Sequence, residues 1–141
     1  MAKSLGAGLA YFLLIFLAGM VLGTIRILLL EPRMGEVAST LLELPVMLAL
    51  AWLVCGWLIR RFELLSAARD RALMGIVAFV LLMAAELALS LYAVGGSVEG
   101  HFAAYQRTAP MLGLLGQLAY AVFPLLRSRP GEAFALPPSE G

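Results

Sequence analysis

Four polar residues lie inside four long apolar runs of this chain, where ionisable groups are costly. They are Arg26, Glu43, Glu86 and Gln117, one in each run. An arginine can pair with a carboxylate through two parallel hydrogen bonds, and a buried carboxyl group can exchange a proton or bind a cation. Such groups in an apolar layer require a partner or a function. The chemistry to explain is therefore ion pairing, proton binding or ligand binding.

The spacing of these four residues places them at a similar depth. With a rise of about 1.5 Å per residue, they fall roughly 6 to 14 Å below one end of their predicted helices. Small residues share the helical stripe of Arg26, since Gly19 and Gly23 precede it and form a close-packing pattern. We therefore expect the arginine to face the other helices and the four polar residues to form one inward-facing cluster.

Further polar residues extend this cluster. Glu36 and Thr40 lie on the same helical face as Glu43. Arg33 lies between the first two runs, in the segment 31–36, which is predicted to be a turn because it holds a proline and a glycine. Since one arginine faces two glutamates, we expect one carboxyl group to hold a proton. The predicted ligand-binding or proton-titrating cluster comprises Arg26, Glu43, Glu86, Gln117, Thr40, Glu36 and Arg33.

The elements that position these residues follow from composition. Of 141 residues, 62% are hydrophobic and 13% are charged, whereas charged residues make up about a quarter of soluble domains. A domain this small cannot hide so much apolar surface. The apolar runs cover about 5–30, 37–59, 72–94 and 108–126, near the roughly 20 residues that a span requires. The sequence predicts an all-α integral membrane protein, a four-transmembrane-helix bundle with short loops, as one domain over residues 1–127.

The basic residues favour one orientation. With the N-terminus inside, seven Lys and Arg residues fall on the inner side and three on the outer side, and cytoplasmic loops carry such an excess. Both termini are therefore predicted to be cytoplasmic, with the protein in a bacterial inner membrane. The tail 128–141 is rich in Pro, Gly, Ser and Glu and is predicted to be disordered. On the outer side, segment 95–107 is predicted to hold a short interfacial helix, with His101 in solvent.

Catalysis and cofactors find little support in the chain. It has one His and one Cys, too few for the usual zinc sites, and it lacks the motifs of nucleophilic enzymes and of phosphate-binding loops. A net charge of +1 without a basic tract argues against nucleic acid as a partner. We expect no enzymatic activity, no metal and no cofactor. The expected partners are membrane lipids and either a second copy of the chain or a larger membrane complex.

Two functions fit these features. A small binding or accessory protein would use the polar cluster as a one-sided pocket or as a clasp between helices, because the other half of the bundle has no matching carboxylate. An accessory subunit would dock through a second stripe of small residues, for which the second run offers Ala49, Leu53 and Gly56. The alternative is a proton- or cation-coupled carrier of small molecules that acts as a homodimer.

Overall fold

The computed structural model describes residues 2–64, 68–93 and 95–127, and every regular element within these ranges is helical. The predicted disordered tail, 128–141, lies outside the described residues. In chain order the elements are α1 (Ala2–Ile25), a π-helical turn (Arg26–Leu30), α2 (Glu31–Met34), α3 (Glu36–Arg61), α4 (Ala68–Tyr92), α5 (Val98–Ala103), a 3₁₀ turn (Ala104–Gln106) and α6 (Thr108–Leu126).

Four of these helical segments are long and apolar enough to cross a membrane. The first runs unbroken from Ala2 to Met34 over 33 residues, and α3, α4 and α6 have 26, 25 and 19 residues. Large apolar side chains cover their outer faces, as expected where lipid is the solvent; Leu28 is 67% exposed and Leu53 is 64% exposed. The predicted set of four spans is thus confirmed, and the chain is an integral membrane protein by length and composition.

The connection between the first two spans is shorter than predicted. The segment 31–36 was expected to be a turn, but the helix continues through Met34 and only Gly35 breaks it. Pro32 lies in α2, directly after the π-helical turn, and does not end the helix. Gly35 has φ 87°, a left-handed conformation that glycine adopts without strain. The chain therefore reverses direction at a single residue.

The helices form a ring in which α1 and α6 each pack against both α3 and α4. One hydrogen bond crosses the centre of this ring, from the Tyr11 hydroxyl to the Tyr120 carbonyl oxygen at 2.9 Å. That carbonyl would normally accept from the residue four positions later, but this residue is Pro124, which has no N–H. Tyr11 thus supplies the donor that proline removes from α6.

The half of the bundle nearest to Ala2 and Leu126, here called the terminal half, is closely packed. A Cβ atom on Gly75 would lie 2.1 Å from the carbonyl oxygen of Ala121, and one on Gly8 would lie 2.9 Å from that of Met74. These helices approach so closely that only glycine fits, as is common between membrane helices. The fully buried side chains of this half include Ser4, Ala7, Tyr11, Cys55, Leu58, Ile59, Met74, Ala78 and Pro124.

The other half, here called the distal half, contains the Gly35 turn and α5 and is packed differently. Gly19 and Gly23 were predicted to form a close-packing pattern, and this prediction is wrong. A Cβ atom on Gly19 would meet only the Cε atom of Met47, at 3.6 Å, and one on Gly23 would meet nothing within 4 Å. Gly113 on α6 also faces open space. In this half, glycines border a space between the helices.

Candidate functional site

That space is a cavity of about 610 Å³ between the four spans, here called the distal cavity. Its deepest lining residues include Ile15, Ala51 and Tyr120, which belong to the packed core below it. Apolar side chains from all four spans line most of its wall. The polar residues on the wall are Thr24, Arg26, Glu36, Thr40, Glu43, Glu86, His101, Tyr105 and Gln117.

Six of the seven predicted cluster residues line this one cavity. They are Arg26, Glu36, Thr40, Glu43, Glu86 and Gln117. The seventh, Arg33, is exposed on α2 and is not among the lining residues. It lies elsewhere because α2 continues the first helix and turns this side chain away from the cavity. Within the cavity, five of these residues form two separate groups, and the Glu36 carboxylate pairs instead with Arg107.

The first group is centred on Arg26. Its Nε atom lies 2.5 Å from Oε2 of Glu43, and its Nη1 atom pairs with the carboxylate of Glu31 and donates to Oγ1 of Thr40 at 3.5 Å. The side chains of Arg26 and Glu43 are 22% and 17% exposed. The guanidinium therefore has two carboxylate partners in a poorly hydrated place, and its charge is fully compensated.

The π-helical turn helps to explain how one arginine reaches both carboxylates. It begins at Arg26 and ends at Leu30, directly before Glu31. An α-helix places neighbours three or four residues apart on one face, whereas Arg26 and Glu31 are five apart. A π turn has the five-residue repeat that brings them together. This local widening of the helix thus coincides with the ion pair.

The second group consists of Glu86 on α4 and Gln117 on α6, which are neighbouring helices. The Nε2 atom of Gln117 donates to Oε1 of Glu86 at 2.5 Å. Among the described residues, no lysine or arginine nitrogen lies within 4 Å of the Glu86 carboxylate. Arg26 was expected to be a candidate partner for either glutamate, but it pairs with Glu43 and Glu31 instead. Glu86 has an amide partner and no arginine or lysine partner.

Two buried polar atoms of α6 lack a hydrogen-bond partner among the described residues. They are the Oε1 atom of Gln117, beside Glu86, and the hydroxyl of Tyr120, whose residue is only 3% exposed and packs against Tyr11 in the packed core. Both residues line the distal cavity. Buried polar groups are normally satisfied by protein, water or ligand. The amide of Gln117 therefore presents unused hydrogen-bonding capacity next to Glu86.

Sequence reasoning missed three residues of the site. Glu31 was assigned to a turn, and the helix periodicity gave no reason to pair it with Arg26. His101 was expected to be solvated, yet it lines the cavity together with Tyr105, whose hydroxyl lies 3.4 Å from its Nε2 atom. The predicted short helix in segment 95–107 is present as α5 and the following 3₁₀ turn, and it is this segment that carries both side chains to the cavity.

The electrostatics at the cavity mouth reflect these positions. Burial and, to a lesser degree, the charge of Glu86 raise the pKa of the Tyr105 phenol above its ordinary range. Arg107 pairs with Glu36 at 3.4 Å, between side chains that are 64% and 43% exposed. Such an exposed pair contributes little to stability. It does link the segment after α5 to the start of α3.

Comparison with known proteins gives no further assignment: no protein-family model, curated protein or solved structure matches this chain. Within the described ranges, no three His, Cys, Asp or Glu side chains are arranged to hold a metal ion. What the geometry offers is a cavity with apolar walls and a small number of convergent polar groups. This arrangement can enclose a molecule and orient it by hydrogen bonds and charge.

The Arg26 group leads to a prediction about stability. We expect Arg26→Leu to lower the free energy of unfolding by about 2 to 3 kcal/mol, because it leaves two carboxylates without their cation in an apolar layer. The measurement is unfolding in mixed micelles followed by circular dichroism. Adding Glu43→Gln to this variant should recover part of the loss.

Arg33→Leu is the matched control, since Arg33 is exposed on α2. It should change the free energy of unfolding by less than about 0.5 kcal/mol. Equal losses from the two leucine variants would show that the Arg26 pairs do not stabilise the fold.

Proposed function

We propose that this chain is a small membrane binding protein that holds an amphiphilic molecule in its distal cavity. The observation that carries the proposal is the cavity itself. Its volume of about 610 Å³ lies within the range of roughly 300–1,000 Å³ of ligand sites, and mainly apolar walls with few polar groups are typical of them.

The glycines of the distal half also support a binding role over a purely structural clasp. A clasp needs only that the helices approach and pair. Here Gly19, Gly23 and Gly113 lie in helices and border the cavity, although each glycine in a helix costs about 1 kcal/mol relative to alanine. Larger residues at these positions would fill the space. The chain thus retains small residues where they keep the cavity open.

The orientation belongs to the same proposal. The terminal half holds the ends of the helices at Ala2, Arg61, Ala68 and Leu126, and most basic residues lie close to these ends. The excess of basic residues on the cytoplasmic side of bacterial membrane proteins supports a cytoplasmic location for both termini. The distal cavity then faces the outer side of a bacterial inner membrane.

An accessory role in a larger complex has less support. Of the small-residue stripe that would serve docking, Gly56 is already covered, because a Cβ atom there would lie 2.6 Å from Cζ of Arg127. The Arg127 guanidinium lies 4.1 Å over the Trp52 ring and donates to the Trp52 carbonyl oxygen at 2.8 Å. This part of α3 is therefore occupied by Arg127, the residue that follows α6.

The alternative function is a proton- or cation-coupled carrier that acts as a homodimer. It is supported by Glu86, whose carboxyl group lies inside a span and has no lysine or arginine nitrogen within 4 Å among the described residues. A carrier must also open toward the opposite side of the membrane. The path there is filled by the packed side chains of Tyr11, Cys55 and Met74. We therefore propose binding ahead of transport.

The binding proposal is tested by filling the cavity. We expect Gly23→Phe to fold normally and to abolish the bound species, because a side chain at Gly23 enters open space. The measurement is native mass spectrometry of the protein released gently from its own membrane. The unaltered chain should carry a retained small molecule or lipid, and the variant should not.

Ile25→Phe is the matched control, since Ile25 is 43% exposed and does not line the cavity. It should retain the bound species. If both variants retain the bound species, the proposed site is contradicted. If the protein is released from the membrane together with an unlike chain, the accessory role is favoured.

The orientation is tested by labelling with a membrane-impermeant maleimide on intact bacteria. Cys55 is buried, and Cys55→Ala gives a background without cysteine. We expect Glu99→Cys on α5 to be labelled from outside and Glu63→Cys, at the terminal end, to be labelled only after lysis. The reverse pattern would place the cavity on the cytoplasmic side.

A further inference from the structure

We infer that the distal cavity selects an amphiphile with an ammonium group, which binds at Glu86 and Gln117. This inference rests on the proposed binding function and adds the chemical class of the ligand. Three observations support it: the charge of the cavity, the acceptor atoms of Glu86 and Gln117, and the absence of a lysine or arginine nitrogen within 4 Å of Glu86 among the described residues.

The charge of the cavity region is negative when its carboxyl groups are ionised. Four glutamates stand against two arginines: Glu31 and Glu43 engage Arg26, and Glu36 engages Arg107. Glu86 is the glutamate left without an arginine. A carboxylate in an apolar wall is stabilised by an opposite charge, and a ligand can supply it. An anionic ligand would be repelled by the Glu86 carboxylate, and both arginines of this region are already paired with glutamates.

The acceptor atoms beside Glu86 fit the donors of an ammonium group. The amide nitrogen of Gln117 is used by Glu86, which leaves its Oε1 atom, buried and without a partner among the described residues. A primary ammonium carries three donors and no acceptor, and the two carboxylate oxygens of Glu86 and the Oε1 atom of Gln117 offer three acceptors.

One group of the chain itself competes for this role. His101 on α5 interacts electrostatically with Glu86, and a protonated imidazole would supply an internal countercharge. Its ring lies 5.6 Å from that of Tyr105 and 5.4 Å from that of Phe102. His101 reaches the cavity from α5, whereas Gln117 lies on α6. A His101→Gln variant separates the two possibilities.

The ammonium group has two sources in a membrane. It is carried by free amphiphilic amines and by the headgroup of phosphatidylethanolamine. Both present the same donors on an apolar body, so the cavity chemistry is shared. Competition between short-chain phosphatidylethanolamine and short-chain phosphatidylglycerol, which lacks the ammonium group, distinguishes the sources.

The test uses three probes that share a phenyl ring on four methylenes and differ only in the head group: 4-phenylbutylamine, 4-phenylbutanol and 5-phenylpentanoate. Binding of the labelled amine to the purified full chain in a non-ionic detergent is measured, with the unlabelled compounds as competitors. We expect the amine to bind about tenfold tighter than the alcohol, equal to about 1.4 kcal/mol, and the carboxylate to bind weakest. If phosphatidylethanolamine displaces the labelled amine and phosphatidylglycerol does not, the ligand is a lipid headgroup. If neither lipid displaces it, the ligand is a free amine.

The variants assign the selection to the named residues. Glu86→Gln should reduce the preference for the amine over the alcohol to about twofold or less, and Gln117→Leu should weaken binding of the amine. The same substitution at an exposed glutamate, Glu99→Gln, should leave all three affinities unchanged. His101→Gln should keep the preference for the amine; its loss in that variant would overturn the inference.

Failure of the inference and failure of the binding function give different results. If the three probes bind with equal affinity and Gly23→Phe abolishes this binding, the proposed binding cavity stands and the ammonium selection is overturned. Absence of binding for all three probes, in the unaltered chain as in Gly23→Phe, would overturn both.

Discussion

The structure depends on one constraint: a polar group inside an apolar layer must find its partner within the chain. Lipid offers no hydrogen bonds, so unpaired groups there are costly. The constraint acts on the backbone as well as on side chains. Pro124 removes a donor from α6, and the Tyr11 hydroxyl on α1 replaces it at the Tyr120 carbonyl. Arg26 finds two carboxylates, and Glu86 finds the amide of Gln117.

These partnerships divide the bundle into two halves with different roles. In the terminal half, Gly8 and Gly75 let helix backbones touch, and the Tyr11 bond fixes opposite helices across the ring. In the distal half, polar pairs hold neighbouring helices at the distance of two side chains, and small residues such as Gly23 leave the centre open. A packed base under a hollow, partly polar upper half is the arrangement that the proposed one-sided binding site requires.

The sequence predicted the four spans and most of the site because hydropathy and helical depth are local properties. The predicted depth also matches the observed pairing. The two shallower residues, Arg26 and Glu43, contact each other, and so do the two deeper ones, Glu86 and Gln117. The rest depends on tertiary structure. Gly19 and Gly23 have the spacing of a packing motif, but what faces a glycine is decided by another helix. The assignment of Glu31 to a turn relied on Pro32 and Gly35, and regular helical periodicity does not predict the π-helical turn that brings Glu31 to Arg26.

The central claim is that the distal half encloses an accessible cavity and the terminal half does not. Its most direct test is water-edited solid-state NMR of glycine-labelled protein, freed of ligand and reconstituted in bilayers. The account predicts rapid transfer of magnetisation from water to Gly23 and Gly113, which border the cavity, and little transfer to Gly8 and Gly75, which lie against backbone atoms. Equal transfer to all four glycines, or slow transfer to Gly23 and Gly113, would contradict the account.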